Sequence, residues 1–366
     1  MYKLKVEQQN PVRALSEFLK NLLREKVIDA LLLPQQREEK VGYTLVTQPE
    51  GVIAADPFSP VAYLNAAWLA REVSNRARKT GVLLRACEIS ALIEMAKLNQ
   101  AELQNLLIIG IDCVGTYEPA VFQELAASGK FHLPSWLPKA ASTGEGDISG
   151  ARFRTACTIC TQIAPENAQI SIGWVGLDPR EEIAVDSKEE LPVEKLSLLP
   201  EESFSNREKL INELKAIRTA RQEEVCREFR RRVNSPQALR KELSTCIRCY
   251  NCRTACPLCI CQECIFASPL FQYEPDHYLE RADQQTFVEM PADTLLFHLT
   301  RLTHVGLSCV GCGHCEAACP SKIPLSILFT ATGKKLQELF DYVPGRNPEE
   351  KLPLVSYKLN ELAPPF

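Results

Sequence analysis

The chain has 366 residues, of which 45% are hydrophobic and 24% charged, and a formal net charge of −4. That is the composition of a soluble globular protein long enough for two or three domains with a substantial core. It excludes a basic nucleic-acid-binding surface and an acidic tail. The longest apolar runs, such as Leu106 to Ile111, are far too short to span a bilayer. The opening Met1-Tyr2-Lys3-Leu4-Lys5-Val6-Glu7 has no apolar signal core. A cytoplasmic protein without direct membrane insertion is therefore expected.

In chain order, Val12 to Val27 carries apolar residues at helical spacing, and Asp29 to Leu33 is a short strand run. Val61 to Arg76 reads as a helix, Val82 to Leu84 as a strand and Cys87 to Leu98 as a helix. Leu106 to Ile111 is a buried strand running into Asp112-Cys113, and Gln169 to Val175 is a further strand. The alternation predicts an α/β domain over residues 1–180, a mixed sheet covered by helices. Asp178 to Glu202 turns acidic and Pro-containing, which suggests a linker or surface excursion. Ser205 to Val233 is a long charged helix with Leu210, Leu214 and Ile217 on one stripe and its charges in solvent. Residues 181–235 thus read as linker plus charged helix. From 236 to 334 the chain is organised around cysteines, with a helix over Ala292 to His304 carrying Leu295, Leu296, Leu299 and Leu302. Residues 335–366 form a tail, Pro-rich from Val343, expected to drape over the surface or reach a neighbour.

Sixteen cysteines are the outstanding feature. They are clustered, in a long chain with no export signal, so metal or cluster ligation in a reducing, anaerobic cytosol is a better reading than disulfides. Two runs repeat one pattern: Cys246-Ile-Arg-Cys249-Tyr-Asn-Cys252-Arg-Thr-Ala-Cys256-Pro257 and Cys309-Val-Gly-Cys312-Gly-His-Cys315-Glu-Ala-Ala-Cys319-Pro320. Two-residue gaps let three sulfurs from one tight loop reach three iron corners of a 4Fe–4S cube. The fourth cysteine, expected to begin a helix, ligates the other cluster in two-cluster ferredoxins. The expected sets are Cys246, Cys249, Cys252 and Cys319, and Cys309, Cys312, Cys315 and Cys256. Structural zinc is the plainer alternative, but it does not account for the third cysteine or for the Cys-Pro ending, twice. His314 is read as a spacer beside the cluster.

The second run, continuing through Pro320-Ser-Lys-Ile-Pro324-Leu325, resembles the helical dicluster ferredoxin domains of heterodisulfide reductase and anaerobic glycerol-3-phosphate dehydrogenase small subunits. The resemblance implies a mainly α-helical dicluster domain, and the gap of over fifty residues between the motifs agrees with it. The paired Cys-Cys-Gly motif of heterodisulfide-cleaving subunits is absent from the sequence.

Four more cysteines lie in the α/β part. Cys87 and Cys113 each follow a predicted strand, where loops commonly hold ligands, and Cys157-Thr-Ile-Cys160 suits zinc or redox sites equally. Singly, each is also explained as a small buried hydrophobe. Together, Arg85-Ala-Cys87-Glu-Ile-Ser-Ala-Leu, Ile109-Gly-Ile-Asp-Cys113-Val-Gly-Thr, and Cys157-x2-Cys160 followed by Asn167-Ala-Gln-Ile-Ser-Ile-Gly-Trp-Val-Gly resemble the beta subunits of coenzyme F420-dependent hydrogenases and formate dehydrogenases. That resemblance covers residues 60 to 180. It implies a third 4Fe–4S cluster on Cys87, Cys113, Cys157 and Cys160, and an FAD, in a domain passing electrons between a partner subunit and a deazaflavin. Ala86 stands where the family has proline, and the ferredoxin unit follows the domain instead of preceding it.

Cys226, Cys259, Cys261 and Cys264 remain. The dense run Cys256-Pro-Leu-Cys259-Ile-Cys261-Gln-Glu-Cys264 suggests an additional cluster or metal, with Cys226 as the one evident fourth ligand and simple packing as its other role. In the segment Gly144-Glu-Gly146-Asp-Ile-Ser-Gly150-Ala-Arg152, backbone amides could approach a flavin pyrophosphate, with Arg152 or Arg154 neutralising it; a plain loop explains the glycines equally. Two functions follow. The first is an electron-transfer subunit wiring a flavin site to catalytic and redox partners, with a deazaflavin, NAD(P)H or ferredoxin as carrier; a flavin is the physical means of converting hydride transfer into single electrons. The second is a pure iron–sulfur relay and scaffold without flavin or substrate.

Overall fold

The computed structural model describes residues 1–37 and 40–356; the part of the expected tail beyond 356 lies outside them. An eight-stranded mixed sheet organises the first two hundred residues, in the order β3-β2-β4-β5-β6-β7-β1-β8. The strands are β1 Tyr2–Lys5, β2 Ala30–Arg37, β3 Lys40–Val46, β4 Thr80–Arg85, β5 Leu106–Ile111, β6 Ile170–Gly173, β7 Glu182–Ser187 and β8 Leu198–Pro200. Strands β2, β4, β5 and β6 are parallel, and antiparallel strands flank them on both sides. The parallel strands are covered on both faces, which is why β4 and β5 read as unbroken apolar runs. Leu83, Leu107 and Ile109 point into one core, while Val82, Leu84, Leu106 and Ile108 point into the other, the period-two alternation of a strand.

The helices in the first part are α1 Pro11–Arg24, α2 Ala67–Ser74, α3 Ala86–Lys97, α4 Pro119–Ala127, α5 Leu133–Thr143 and the single turn α6 Thr155–Thr158. Helices α1 and α5 fill the first core with Leu15, Phe18, Leu22 and Leu137. Asn10 accepts from the backbone of Arg13 at 3.0 Å and caps α1, whose first residue is Pro11. Helix α2 is shorter than the expected Val61–Arg76. The buried Asn65 side chain accepts from the Ala67 amide at 3.0 Å, so the helix starts there and the preceding residues are loop.

The acidic segment expected as a linker is not one. Its residues form β7 and β8, which bracket β1 in the sheet. Val185 and Leu198 are buried there while the charges face outward.

The second part is mainly helical: α7 Ser205–Arg232, α8 Pro236–Glu242, α9 Asn251–Thr254, α10 Pro275–Gln285, α11 Thr294–Val305, α12 His314–Ala317 and α13 Leu325–Phe340. It shares the second core with the sheet, Phe297, Leu325 and Phe329 belonging to the same buried cluster as Leu32, Val82 and Ile108. The two parts are therefore joined by packing as well as by sequence. Tyr342, beyond α13, is clasped to α3 by the buried Glu94, at 2.7 and 2.6 Å to the two carboxylate oxygens. Among the described residues, no helix is long and apolar enough to cross a membrane.

Candidate metal centres

The register of β4 on β5 pairs Arg85 with Ile111. The two chains therefore leave the sheet side by side, one into Cys87 in the first turn of α3, the other into Cys113. Cys157 in α6 and Cys160 just after it reach the same place, and all four line one small cavity of about 30 Å³. Asp112 fixes the Cys113 end. Its buried carboxylate accepts from the Trp174 and Val175 amides at 2.9 and 3.0 Å and from Arg207.

Three buried arginines surround this set. Arg218 of α7 donates to the carbonyls of Val114 at 2.6 Å, Gly144 at 2.9 Å and Cys160 at 3.3 Å. Arg85 donates to the Val61 carbonyl at 3.0 Å. Arg154 donates to Thr116 Oγ1 at 2.5 Å, and its Nε and Nη1 have no partner among the described residues. Buried cations with spare N–H groups suit a site that carries negative charge. The charge is felt by the thiols. Burial pushes Cys157 up, but Arg154 and the Thr116 hydroxyl outweigh it and leave Cys157 below the ordinary thiol value. Cys160, desolvated and beside Cys157, is pushed up to about 12.

The expected view of α7 needs correcting. Its buried stripe is Ile211, Leu214, Arg218, Cys226 and Phe229, while Ile217 is 56% exposed. One charged side of the helix is spent on the cysteine loop: besides Arg218, Gln222 donates to the Ile159 carbonyl at 3.1 Å. Arg218 was invisible in the sequence because an arginine among charges reads as solvated; its spacing from Ile211 and Leu214 was the available signal.

The cysteines of the twin motifs fall into two groups. Cys256, Cys309 and Cys315 line a second cavity together with Cys312. Cys246, Cys249, Cys252 and Cys319 are electrostatic neighbours of one another. The fourth cysteines do not begin helices: Cys256 and Cys319 each follow a short helical turn, α9 and α12. Burial pushes Cys256 to about 12 and Cys309 to about 11. Cys249 is exposed. The cysteines rim hollows instead of converging on a point, and among the described residues no three His, Cys, Asp or Glu side chains are close enough to hold a single ion.

Cys312 belongs to two walls at once, lining the N-terminal cavity as well as its own. The contact depends on Gly313. Its φ is +73°, and a Cβ there would lie 2.4 Å from the Ala156 Cβ, next to Cys157. His314 is buried in the same wall. Desolvation, with Arg154 and Arg85 nearby, holds its imidazole neutral, well below the usual pKa.

Two further residues on α11 were missed. Leu296 and Leu299 are 50% and 41% exposed, and the buried face carries Phe297, His298, Arg301 and Leu302. His298 Nε2 lies 3.4 Å from Cys246 Sγ. Arg301 Nη2 donates to the Cys252 carbonyl at 3.1 Å.

The remaining candidates separate. Cys259 has Cys261, Arg301 and Arg253 about it, Cys261 is exposed and Cys264 half-buried. Cys226 packs in the core, where its charged neighbours are Arg230, Lys334 and Glu338, so it does not join them. Of the glycine segment, Gly144 (φ +67°) ends α5 with its α-carbon against Leu214, and Gly146 lies against the Phe153 ring. Gly150 (φ +84°) faces open space and Arg152 is exposed, whereas Arg154 turns inward to Thr116. The five do not present one surface.

An α/β sheet with four thiols gathered around one cavity, and a cysteine-rich, mainly helical part packed against it, make a protein of two joined parts. The comparisons with known proteins concern its first part most directly. Residues 77–189 match the family model of the C-terminal region of the coenzyme F420 hydrogenase/dehydrogenase beta subunit. The match falls on the stretch whose segments around Cys87, Cys113 and Cys157 resemble that family. Over 91% of each protein, the chain is 28% identical to the F420-dependent formate dehydrogenase subunit beta of Methanocaldococcus jannaschii. It is 24% identical to the F420-dependent formate dehydrogenase 1 subunit beta of Methanococcus maripaludis, over 74% of each. A chain of the F420-reducing [NiFe] hydrogenase complex from Methanosarcina barkeri superposes with a TM-score of 0.47 at 12% identity, covering 64% of this chain and 93% of that one.

Proposed function

We propose that this chain is an iron–sulfur electron-transfer subunit of an anaerobic, cytoplasmic, multi-subunit oxidoreductase of the formate dehydrogenase type. The observation that carries the reading is the double role of Cys312, which lines both the N-terminal cavity and the cavity of Cys256, Cys309 and Cys315. A 4Fe–4S cube holds its thiolates on separate corners, so hollows rimmed by four cysteines and backed by buried arginines suit it. The ligand sets are then Cys87, Cys113, Cys157 and Cys160; Cys309, Cys312, Cys315 and Cys256; and Cys246, Cys249, Cys252 and Cys319. They follow one another as a wire whose last member reaches solvent at Cys249.

The two relatives are named as F420-dependent formate dehydrogenase subunits, which favours a deazaflavin link and a catalytic partner here as well. An FAD in the α/β domain would supply the exchange between hydride and single electrons, with Gly150 and Arg152 the part of the glycine segment free to meet its phosphates. The packing of Gly144 and Gly146 against Leu214 and Phe153 favours the second reading, a relay without flavin. Cys259, Cys261 and Cys264 would hold a further metal with a ligand other than Cys226.

Anaerobic purification of the native complex with iron, sulfide and flavin analysis tests this. About twelve irons per chain are expected for three clusters, and about sixteen would add the further site. About eight would remove the N-terminal cluster. About one flavin per chain selects the first reading over the relay, and none selects the relay.

A further inference from the structure

We propose that Arg301 is a shared electrostatic element of the two C-terminal clusters, raising the reduction potential of both at once. This rests on the reading of the twin motifs as cluster ligands. Arg301 is 4% exposed, and its guanidinium is held between two rings, 5.7 Å from the Phe297 centroid and 4.9 Å from that of Phe329. From there it faces both sets. One N–H is fixed on the carbonyl of Cys252, in the outer set, at 3.1 Å. The same side chain lines the cavity of the inner set with Cys256 and Cys315.

Its Nε and Nη1 have no oxygen or nitrogen partner among the described residues, and the thiols around it are those of Cys252, Cys256 and Cys315 in the two sets and of Cys259 beside them. An arginine stays charged, and a buried one with unused donors is costly unless it meets negative charge. The iron-bound sulfurs of the two clusters are that charge. Each reduction adds one electron to a cluster, and so one negative charge beside a fixed positive one in a region of low dielectric. The reduced form gains more than the oxidised form, and the potential rises. Because one cation serves both sets, the two potentials move together when it is removed.

The test is a dithionite titration of the anaerobic holoprotein followed by electron paramagnetic resonance, for wild type, Arg301→Gln and Arg301→Lys. Arg301→Gln is expected to lower the reduction equilibrium of both C-terminal clusters at least tenfold, about 59 mV for one electron, and to leave the N-terminal cluster in place. Arg301→Lys keeps the charge but loses the planar fork, so its shift is smaller and of the same sign. Iron content near wild type with neither potential moved, or only one, overturns the inference. If Arg301→Gln loses iron, Arg301→Lys decides by the same criterion. A wild-type protein without cluster signals instead sinks the reading of the motifs themselves.

Discussion

The twin motifs share their cysteine spacing and their backbone path, yet sit in opposite surroundings. In each loop the two residues flanking the second cysteine have positive φ: Arg248 (+52°) and Tyr250 (+60°) in the outer motif, Gly311 (+69°) and Gly313 (+73°) in the inner one. The left-handed turns therefore belong to the loop, and glycine is not needed to make them. What differs is the neighbour. The inner loop is pressed against Ala156 beside Cys157, where no side chain fits. The outer loop has room, and its two large residues fold over it. Arg248 pairs with Asp293 at 2.7 Å and donates to the Tyr250 hydroxyl at 2.6 Å, which donates onward to the Phe266 carbonyl at 2.8 Å. One motif is a junction between the two parts of the molecule and the other is an end.

The sharpest way to break the comparison is to give the inner loop the outer residue. Gly313→Tyr adds left-handed strain of about 1–2 kcal/mol to an overpacking cost of about 1–3 kcal/mol. Destabilisation of about 2–5 kcal/mol is expected, measured by chemical denaturation under anaerobic conditions. Iron analysis should show loss from both sets that meet at Cys312 while the outer set persists. A loss confined to the inner set would mean that the contact with Ala156 does not support the N-terminal loop.

How much of this was legible in advance follows from where each piece of information lies. Spacing within a loop is local, so the twin motifs could be read directly, and the two-cluster ferredoxin pattern supplied the exchange of their fourth cysteines as an expectation. The strands β4 and β5 were visible because burial on both faces leaves an unbroken apolar run. The convergence of Cys87, Cys113, Cys157 and Cys160 was read through a resemblance, since nothing local relates positions about seventy residues apart. Strands β7 and β8 read as a linker in the sequence because their outward charges mask Val185 and Leu198. The roles of Arg218 and Arg301 depend on which helix face the rest of the chain covers, and on α11 Leu296 and Leu299 are exposed while Arg301 is buried. Gly313 carried a hint: a glycine where the sister motif tolerates tyrosine marks a close approach. The partner in that approach was not readable.

The converse exchange, Tyr250→Gly, should cost less. It relieves left-handed strain of about 1 kcal/mol but removes the hydroxyl bond to Phe266 and an edge contact with Phe297, whose ring centre is 5.1 Å away. Truncating a large, well-packed aromatic costs about 3–5 kcal/mol, and Tyr250 is only partly buried, so a net loss of about 1–3 kcal/mol is expected. Iron on the two sets that meet at Cys312 should stay at the wild-type level. A fall there would show that the outer loop also supports the junction.

The smallest effect isolates the backbone from the neighbour. Gly311 has almost the same φ as Gly313, but a Cβ added to it meets only Thr330 Oγ1, at 3.9 Å. Gly311→Ala should therefore register conformational strain alone, about 1 kcal/mol, with all iron retained. The gap between this variant and Gly313→Ala, read in the same denaturation experiment, is then the part of the penalty owed to Ala156. That gap should close when Ala156 is replaced by glycine, because the pair is coupled only through the atom that clashes. If Ala156→Gly leaves Gly313→Ala as damaging as before, the inner motif's glycine answers to its own loop after all, and the two motifs differ in sequence for a reason other than the junction.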